Sequence, residues 1–264
     1  MSFITTPDIA FLHRLADLAD AQTLPRFRSA LSVDAKFKEG DRFDPVTDAD
    51  RIAEVEMRRL IEQVYPDHAI LGEEFGRKEG GAHCWVLDPV DGTKPFICGI
   101  PVWGTLIGQT TDGIAKRGLM SQPFTEERFW ADDSGAWHRR GGVVSRLRTR
   151  EVPLAEAILH TTSPQGWRGA AREGFERLQE QVRMTRYGGE CYAMVMVAAG
   201  QIDLAVEPSL QPYDIVALIP IIEQAGGVVT RLDGSRAEAG GSVLISANSA
   251  LHEQALQLLA GAVA

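Results

Sequence analysis

The chain has 264 residues, 44% of them hydrophobic and 24% charged, which is ordinary for a globular protein and enough for one large core or two modest ones. A net charge of −9 argues against a nucleic-acid-binding surface, because phosphate backbones are bound by basic stripes. The three cysteines lack metal-ligand spacing, no apolar run reaches about 18 residues and no secretory signal is visible, so we expect a cytoplasmic protein without membrane or nucleic-acid partners.

The first half of the chain is predicted to lay two helices on an antiparallel sheet. Thr6 and Pro7 are typical of a helix start, and the first helix is expected to continue to about Arg28. The second helix is predicted at 48–64, with five apolar side chains facing inward: Ile52, Val55, Leu60, Ile61 and Val64. Apolar segments between turn residues predict strands at 69–71, 83–88, 102–109, 114–121, 128–131 and 136–138.

The second half has a different pattern, which follows a basic, loop-like segment at 145–150. Short strands are predicted at 158–161, 183–187, 202–207, 228–232 and 242–246. They alternate with predicted helices at 169–180, 191–199, 213–224 and 250–259. This alternation predicts a smaller α/β layer, and we place the boundary between the two subdomains, 1–145 and 146–264, near residue 146.

The eight residues from Leu87 to Lys94 have the composition of a metal and phosphate site. A buried strand is predicted to end at Asp88, and a proline and a glycine then force a turn before Thr93 opens a helix or loop with free amides. Asp88 and Asp91 would repel each other unless a cation lay between them, and hard carboxylate oxygens favour Mg²⁺. Glu73 and Asp214, each at the end of another predicted element, supply further carboxylates.

These segments resemble the inositol monophosphatase-like family of Mg²⁺-dependent phosphomonoesterases. The resemblance extends from about residue 36 to 248, and its motifs occur in the family's order: Thr47-Asp48-Ala49-Asp50, Glu73 after a glycine, Asp88 to Thr93, and Asp214. It implies a layered α-β-α-β-α fold of the α/β class, with the site in the cleft between the halves, and a homodimer.

The resemblance also implies a role for each site residue. Two or three Mg²⁺ ions are expected, held by five ligands: Glu73, Asp88, the Val90 carbonyl, Asp91 and Asp214. A metal-activated water is the expected nucleophile, which makes Glu73 a catalytic residue as well as a ligand. Asp50 and Thr93 are expected to form a dyad that orients or deprotonates this water. The amides of Gly92 and Thr93 are expected to hold the phosphate.

Five residues of these motifs also have a purely structural interpretation. A turn cap explains Asp88, helix capping explains Thr47 and Asp50, and a favourable interaction with a helix dipole explains Asp214. Glu73 has the alternative of an exposed acid in a loop.

Three segments, 96–107, 188–193 and 212–220, look like the histidinol-phosphatase branch of the family. That branch usually has Asp where this chain has Glu190, and inositol-phosphate enzymes have a small residue there. An acid near the leaving group suits histidinol phosphate, which carries an ammonium group, whereas inositol carries none. Glu207 is expected to hydrogen-bond the polar end of the substrate. The alternative for Glu190 is a helix N-terminal acid.

Other residues near these motifs have open roles. Core packing is an equal alternative to substrate contact for Trp103 and Tyr192. Lys36 and Lys38 are within possible reach of phosphate, but we favour solvated side chains. Tyr213 stands where the family usually has Trp, a difference that concerns the substrate subtype more than the metal.

The predicted function is that of an Mg²⁺-dependent phosphomonoester hydrolase, a histidinol-phosphate phosphatase of histidine biosynthesis. The first alternative is an inositol-1-monophosphatase or a broad sugar-phosphate phosphatase. An alternative of another class is a binding or regulatory member of the fold that lacks turnover.

Overall fold

The computed structural model describes residues 8–30, 33–35 and 45–260. Within these residues the chain forms eight α-helices: α1 (Ile9–Thr23), α2 (Asp48–Val64), α3 (Thr93–Ile97), α4 (Gly169–Gln181), α5 (Glu190–Ala198), α6 (Pro212–Ile215), α7 (Leu218–Ala225) and α8 (Ser249–Leu259). The fifteen strands of the same residues are β1 (Val33–Ala35), β2 (Pro45–Thr47), β3 (Ala69–Gly72), β4 (Gly76–Lys78), β5 (His83–Asp91), β6 (Gly104–Thr111), β7 (Ile114–Gln122), β8 (Glu127–Asp132), β9 (Gly135–Arg140), β10 (Val143–Arg146), β11 (Ile158–Thr161), β12 (Met184–Tyr187), β13 (Leu204–Leu210), β14 (Val228–Arg231) and β15 (Gly241–Ser246).

Most of these elements stack in five layers. Helices α1 and α2 pack on one face of an eight-stranded sheet with the order β10-β9-β8-β7-β6-β5-β3-β4. Helices α5, α6 and α7 lie between this sheet and a five-stranded sheet with the order β12-β11-β13-β15-β14, whose outer face is covered by α4 and α8. The order of layers confirms the predicted α-β-α-β-α fold. The proposed division between residues 145 and 146 falls at the last residue of β10, the edge strand of the large sheet, and stays a prediction.

Strand β5 lies inside the large sheet and is buried on both faces. Trp85 and Leu87 belong to the apolar cluster beneath α1 and α2, whereas Val86 between them belongs to the cluster on the opposite face. This alternation explains why the segment reads as a continuous apolar run.

The prediction that the large sheet is antiparallel was partly wrong. Strand β3 pairs in parallel with β5, with Gly72 opposite Leu87, and β4 folds back antiparallel on the outer edge of β3. A further difference lies at the other edge, where β10 (Val143–Arg146) pairs with β9 in a region that was partly predicted as loop. A three-residue hairpin strand and a fully exposed, four-residue edge strand are too short and too exposed to show the apolar run that signals a buried strand.

Helix α1 begins after Asp8, whose carboxylate accepts a hydrogen bond from the Phe11 amide at 2.8 Å. The predicted start at Thr6 and Pro7 lies outside the described residues. The helix ends at Thr23 and not near Arg28, because Pro25 lacks the N–H that would continue the helical hydrogen bonds.

Helix α2 has the predicted bounds but turns a different face inward. Its buried residues are Ala49, Asp50, Ala53, Glu54, Met57 and Ile61. Ile52, Val55 and Val64, which were predicted to be buried, are 37%, 46% and 40% exposed. Two acids on the buried face have hydrogen-bond partners outside the helix: Asp50 accepts from the Thr47 amide just before α2, and Glu54 accepts from the Glu74 amide after β3. These contacts fit the observed rotation of the helix.

The helix predicted at 213–224 is two helices, α6 and α7, with a break at Val216 and Ala217. Pro220 has no N–H to donate to the Val216 carbonyl, so one continuous helix would lose a hydrogen bond at this point. No helix within residues 8–30, 33–35 and 45–260 is both long and apolar enough to cross a membrane.

Candidate active site

A bulge in β5 brings two aspartates together. Side chains three residues apart in a regular strand point to opposite faces. The register of β5 against β6 shifts between Asp88 and Asp91, so that Asp88 lies opposite Leu106 and Asp91 opposite Gly104. The extra residue of the bulge compensates for this alternation, so that the side chains of Asp88 and Asp91 lie on the same side of the strand. The strand therefore continues to Asp91, three residues beyond the predicted end.

Helix α6 brings a third carboxylate to this point. Pro212 occupies its first turn, and Asp214 accepts a hydrogen bond from the Gln211 amide at 2.7 Å. Carboxylate oxygens of Asp88, Asp91 and Asp214 all lie within 4.8 Å of one another. Asp214 thus caps its helix, as the structural interpretation predicted, and also faces the two aspartates of β5.

Glu73 enters the same site from the neighbouring strand. It follows the last residue of β3, and its amide donates to the Leu87 carbonyl at 3.2 Å, directly before Asp88. Burial, followed by the charges of Glu73, Asp91 and Asp214, raises the pKa of Asp88 well above its usual range. Burial and the charges of Asp214 and Glu190 raise the pKa of Asp91 in the same way.

These carboxylates line a cavity of about 330 Å³. Its described lining is Pro45, Glu73, Asp88, Val90, Asp91, Gly92, Thr93, Lys94, Pro95, Glu190, Ser209 and Asp214. Among these residues Lys94 is the one cation against five acids. A cluster of hard oxygen donors with this excess of negative charge fits a divalent cation, because uncompensated buried carboxylates repel one another.

Asp50 and Thr93 meet at the floor of the site. One Asp50 oxygen accepts from the Thr47 amide at 2.9 Å and from the Thr47 hydroxyl at 2.5 Å. The amide contact is one half of a capping box at the start of α2, in which the Thr47 side chain accepts from the backbone of the first turn. The other Asp50 oxygen lies 3.4 Å from the Thr93 hydroxyl, which also lies 3.2 Å from the Val90 carbonyl. Burial raises the pKa of Asp50 to about 6, against the opposing effect of the Thr47 hydrogen bonds.

The turn between β5 and α3 depends on Gly92. Its φ of +85° is a left-handed conformation, and a Cβ at this position would lie 3.1 Å from the Glu190 side chain. Thr93 is the first residue of α3, so its amide and that of Gly92 have no acceptor within the helix.

Glu190, at the start of α5, lines the cavity beside the Gly92 turn. Its φ of +47° is a rare conformation for a residue with a side chain. Neighbouring contacts hold it: the Gly189 amide donates to His160 Nε2 at 3.1 Å, and the Cys191 amide donates to an Asp91 oxygen at 2.8 Å. Burial raises the pKa of Glu190, and the charge of Lys94 opposes this shift.

Glu207 is buried behind Glu190 and does not belong to the described lining of the cavity. It accepts from the Thr162 amide at 2.6 Å, and one of its oxygens lies 3.8 Å from His160 Nδ1. Burial is the main cause that raises its pKa to about 8. Its role in substrate binding stays a prediction.

The two aromatic residues with open roles have structural contacts. Trp103 is fully buried with Phe27, Val90 and Phe96 in a small core cluster, and the Tyr192 hydroxyl donates to Glu127 at 2.6 Å. Lys36 and Lys38 lie outside the described residues.

Two charged residues near the site had no role in the sequence analysis. Lys94 lies in the cavity wall, and Glu54 is completely buried on α2 beneath the turn that carries Glu73. The only sequence signal for Glu54 is that it is an acid on the buried face of an amphipathic helix. Because a different face of α2 was predicted to be buried, the sequence analysis did not detect it.

Comparisons with known proteins agree with this geometry. A model of the inositol monophosphatase family matches residues 7–264. The bifunctional phosphatase IMPL2 of Arabidopsis thaliana is 40% identical over 93% of this chain and 72% of its own. A histidinol-phosphatase of Streptomyces coelicolor is 37% identical over 96% of each chain. A solved inositol monophosphatase from Zymomonas mobilis is 36% identical, with a TM-score of 0.84 over 96% of this chain and 97% of that one.

Proposed function

Since the chain belongs to the inositol monophosphatase family and is a phosphomonoester hydrolase, we propose that its substrate is L-histidinol phosphate. The products are L-histidinol and inorganic phosphate, in histidine biosynthesis. The observation that carries this proposal is Glu190, an acid in the wall of the cavity beside the carboxylate cluster. The similarity to a histidinol-phosphatase over nearly the whole chain supports it.

Glu190 suits a substrate that is an anion at one end and a cation at the other. Charge-assisted hydrogen bonds to an ammonium group are about twice as strong as neutral ones, and partial burial strengthens them further. An inositol ring offers hydroxyl groups and no cation, so a buried acid at this position would gain less from it. Lys94 also lines the cavity, and its charge opposes the rise that burial causes in the pKa of Glu190.

We infer that the cofactor is Mg²⁺, two or three ions per site. The residues that would hold it are Glu73, Asp88, the Val90 carbonyl, Asp91 and Asp214, whose oxygens suit a hard cation. When bound, the ions neutralise the phosphate and the departing alkoxide and lower the pKa of water.

The remaining chemistry belongs to groups of the chain itself. Thr93 holds the attacking water in line through its hydroxyl, and Asp50 accepts the hydrogen of that hydroxyl. The amides of Gly92 and Thr93 orient the phosphate oxygens. The water oxygen attacks phosphorus directly, without a covalent phosphoenzyme, as the P–O bond to the alkoxide breaks. The water gives a proton to the Thr93 hydroxyl as that hydroxyl gives its own to Asp50, and the alkoxide takes a proton from solvent.

A phosphate-release screen with Mg²⁺ tests the substrate. We expect the highest kcat/KM for L-histidinol phosphate among that compound, inositol-1-phosphate, fructose-1,6-bisphosphate and glycerol-2-phosphate. Removal of divalent ions with EDTA should abolish turnover, and added Mg²⁺ should restore it. A preference for inositol-1-phosphate would instead favour the second candidate, an inositol monophosphatase, which the similarity to the Zymomonas mobilis enzyme supports.

The absence of turnover on every ester, with Mg²⁺ bound, would favour a non-catalytic binding protein. We further propose that the protein is a cytoplasmic homodimer, and light scattering coupled to size-exclusion chromatography would measure twice the monomer mass.

A further inference from the structure

Glu54 holds the turn that carries Glu73. Its side chain is completely buried on α2, and its two oxygens accept hydrogen bonds from the Glu74 amide at 2.7 Å and the Phe75 amide at 3.2 Å. These amides directly follow Glu73, so the Glu54 carboxylate lies over the turn between β3 and β4. It thereby ties two backbone donors of the turn to α2.

The fit between this carboxylate and the turn explains the glycine before Glu73. A Cβ at Gly72 would lie 2.0 Å from the nearer Glu54 oxygen, a distance at which no side chain fits. Gly72 therefore lets the chain pass directly over the Glu54 carboxylate. The Gly72-Glu73 pair of the sequence therefore fits together with Glu54 of α2.

Arg58 completes the contact one helical turn later. Its guanidinium pairs with Glu54 at 2.6 Å, and it also donates to the Gly76 carbonyl at the far end of the turn. The ion pair thus binds the middle of the turn through Glu54 and its far end, Gly76, through Arg58. Breaking a buried ion pair by removing one partner is costly, so the pair keeps the turn in a single arrangement.

We propose that Glu54 is a positioning residue for Glu73, which aims the Glu73 carboxylate at Asp88 by fixing the turn after β3. This inference rests on the proposed function, in which Glu73 is a metal ligand. Outer partners of metal ligands typically change metal affinity 10- to 100-fold when they are removed. Glu54 reaches the ligand through the backbone, without touching metal or substrate.

Direct binding of Mn²⁺ to the full-length protein, followed by the electron paramagnetic resonance signal of free Mn²⁺, tests this inference. Glu54→Gln keeps the shape but removes the charge that holds Arg58 and the two amides. We expect its affinity for the metal held by Glu73 to be about 10- to 100-fold weaker. Higher Mg²⁺ concentrations should also be needed for half-maximal turnover, with little change in KM for substrate at saturating Mg²⁺.

Asp203 provides the matched control. It is another completely buried carboxylate, which pairs with Arg150 at 2.6 Å and accepts from the Ile158 amide at 2.7 Å, in the smaller sheet. Asp203→Asn should lower the melting temperature by an amount similar to Glu54→Gln and leave Mn²⁺ binding unchanged. If Glu54→Gln does not fold, Arg58→Met removes the more exposed partner of the same ion pair and should also weaken Mn²⁺ binding.

The Glu73→Gln variant separates the two proposals. If Glu73→Gln weakens Mn²⁺ binding and Glu54→Gln does not, Glu54 is a structural residue only and our inference is overturned. If Glu73→Gln leaves binding unchanged, the ligand assignment itself fails, and the role of Glu54 fails with it. When both variants weaken binding, the double variant should be no weaker than Glu73→Gln alone, because Glu54 acts through Glu73.

Discussion

At the scale of single residues, Asp50 shows how one carboxylate serves structure and chemistry together. One oxygen caps α2 through Thr47, and the other faces the Thr93 hydroxyl. The capping contact fixes the side chain before any substrate binds. The structural and catalytic interpretations of this residue are therefore compatible, and the cap supplies the rigidity that a catalytic pair needs.

Thr93→Ala should lower kcat about 10²–10⁴-fold, the range for positioned acid–base assistance, and change Mg²⁺ affinity much less. Asp50→Asn should have a similar effect. Because the two residues act as one unit, the double variant should be little worse than either single one. Steady-state kinetics at saturating Mg²⁺ measure these effects, and fully additive losses would argue against a dyad.

Glu190→Gln should lower kcat/KM for L-histidinol phosphate by roughly 10- to 150-fold, since a hydrogen bond to a charged group is worth about 1.5–3 kcal/mol. Turnover of glycerol-2-phosphate should change little, because that ester has no cation for Glu190 to bind. Measuring both esters on one preparation cancels general damage to the site. Equal losses on both would make Glu190 a structural residue.

Glu207 should make folding stability depend on pH. Its pKa in the folded protein is raised to about 8, mainly by burial, so between about pH 4.5 and pH 8 the folded state keeps a proton that the unfolded state has lost. The group therefore costs stability as pH rises through this window. Relative to wild type, Glu207→Gln should gain several kcal/mol of unfolding free energy between pH 4 and pH 8.5, at about 1.4 kcal/mol per pKa unit.

Urea unfolding at a series of pH values in metal-free buffer measures this gain. Glu173→Gln, an exposed position on α4, is the control and should follow wild type at every pH. A pH-independent difference for Glu207→Gln would show that the Glu207 carboxyl is ionised in the folded state.

At the scale of elements, the site depends on close approach between α6 and the large sheet. Gly108 and Gly118 are opposite each other on β6 and β7, and the junction between α6 and α7 packs directly on them. A Cβ at Gly118 would lie 1.8 Å from the Ala217 carbonyl oxygen. Absence of a side chain there lets Asp214 reach the carboxylates of β5.

Gly118→Ala should therefore move α6 away from the sheet. We expect a loss of about 1–3 kcal/mol in stability, typical of overpacking, together with weaker metal binding through Asp214. Gly81→Ala, whose Cβ would make an ordinary 3.4 Å contact, should change neither. Thermal unfolding and Mn²⁺ titration of both variants measure the difference. If Gly118→Ala is destabilised but binds Mn²⁺ normally, the close packing at Gly118 contributes to stability and does not position Asp214.

The candidate site residues were more predictable than the faces and exact ends of the elements. Asp88, Asp91 and Asp214 were found from sequence because a turn residue or proline stands beside each of them, and the resemblance to the family added their roles as ligands. The rotation of α2 was not predictable, because the amides of Glu74 and Phe75 that bind the buried Glu54 are about twenty residues away in sequence. The bulge that extends β5 to Asp91 and the parallel pairing of β3 with β5 likewise depend on contacts between strands that no local pattern encodes.

At the scale of the whole molecule, two sheets and a middle helical layer bring acids from four elements to one cavity. Glu73 follows β3, Asp88 and Asp91 belong to β5, Asp214 to α6 and Glu190 to α5. No single element carries enough charge to form the site. Folding without metal must therefore concentrate negative charge that the unfolded chain keeps apart.

Asp91→Asn and Asp214→Asn should each abolish most turnover and yet raise the melting temperature of the metal-free protein. The asparagine oxygen can still accept from the Cys191 amide or from the Gln211 amide, so the loss is confined to charge. Burial and repulsion raise the pKa of Asp91, and such a group costs stability as pH rises, so for Asp91→Asn the gain in melting temperature should be larger at pH 8 than at pH 5.

With Mg²⁺ present the order of the melting temperatures should reverse. A cation that binds only the folded state stabilises wild type, whereas each variant has lost one of the carboxylates that would bind it. Melting curves with EDTA and with Mg²⁺, at both pH values, give this comparison. Lower melting temperatures for both variants in EDTA would mean that their carboxylates stabilise the apo fold. The acidic cluster would then be a structural network that stabilises the fold without metal. The proposal that these carboxylates repel one another until a cation binds would be wrong.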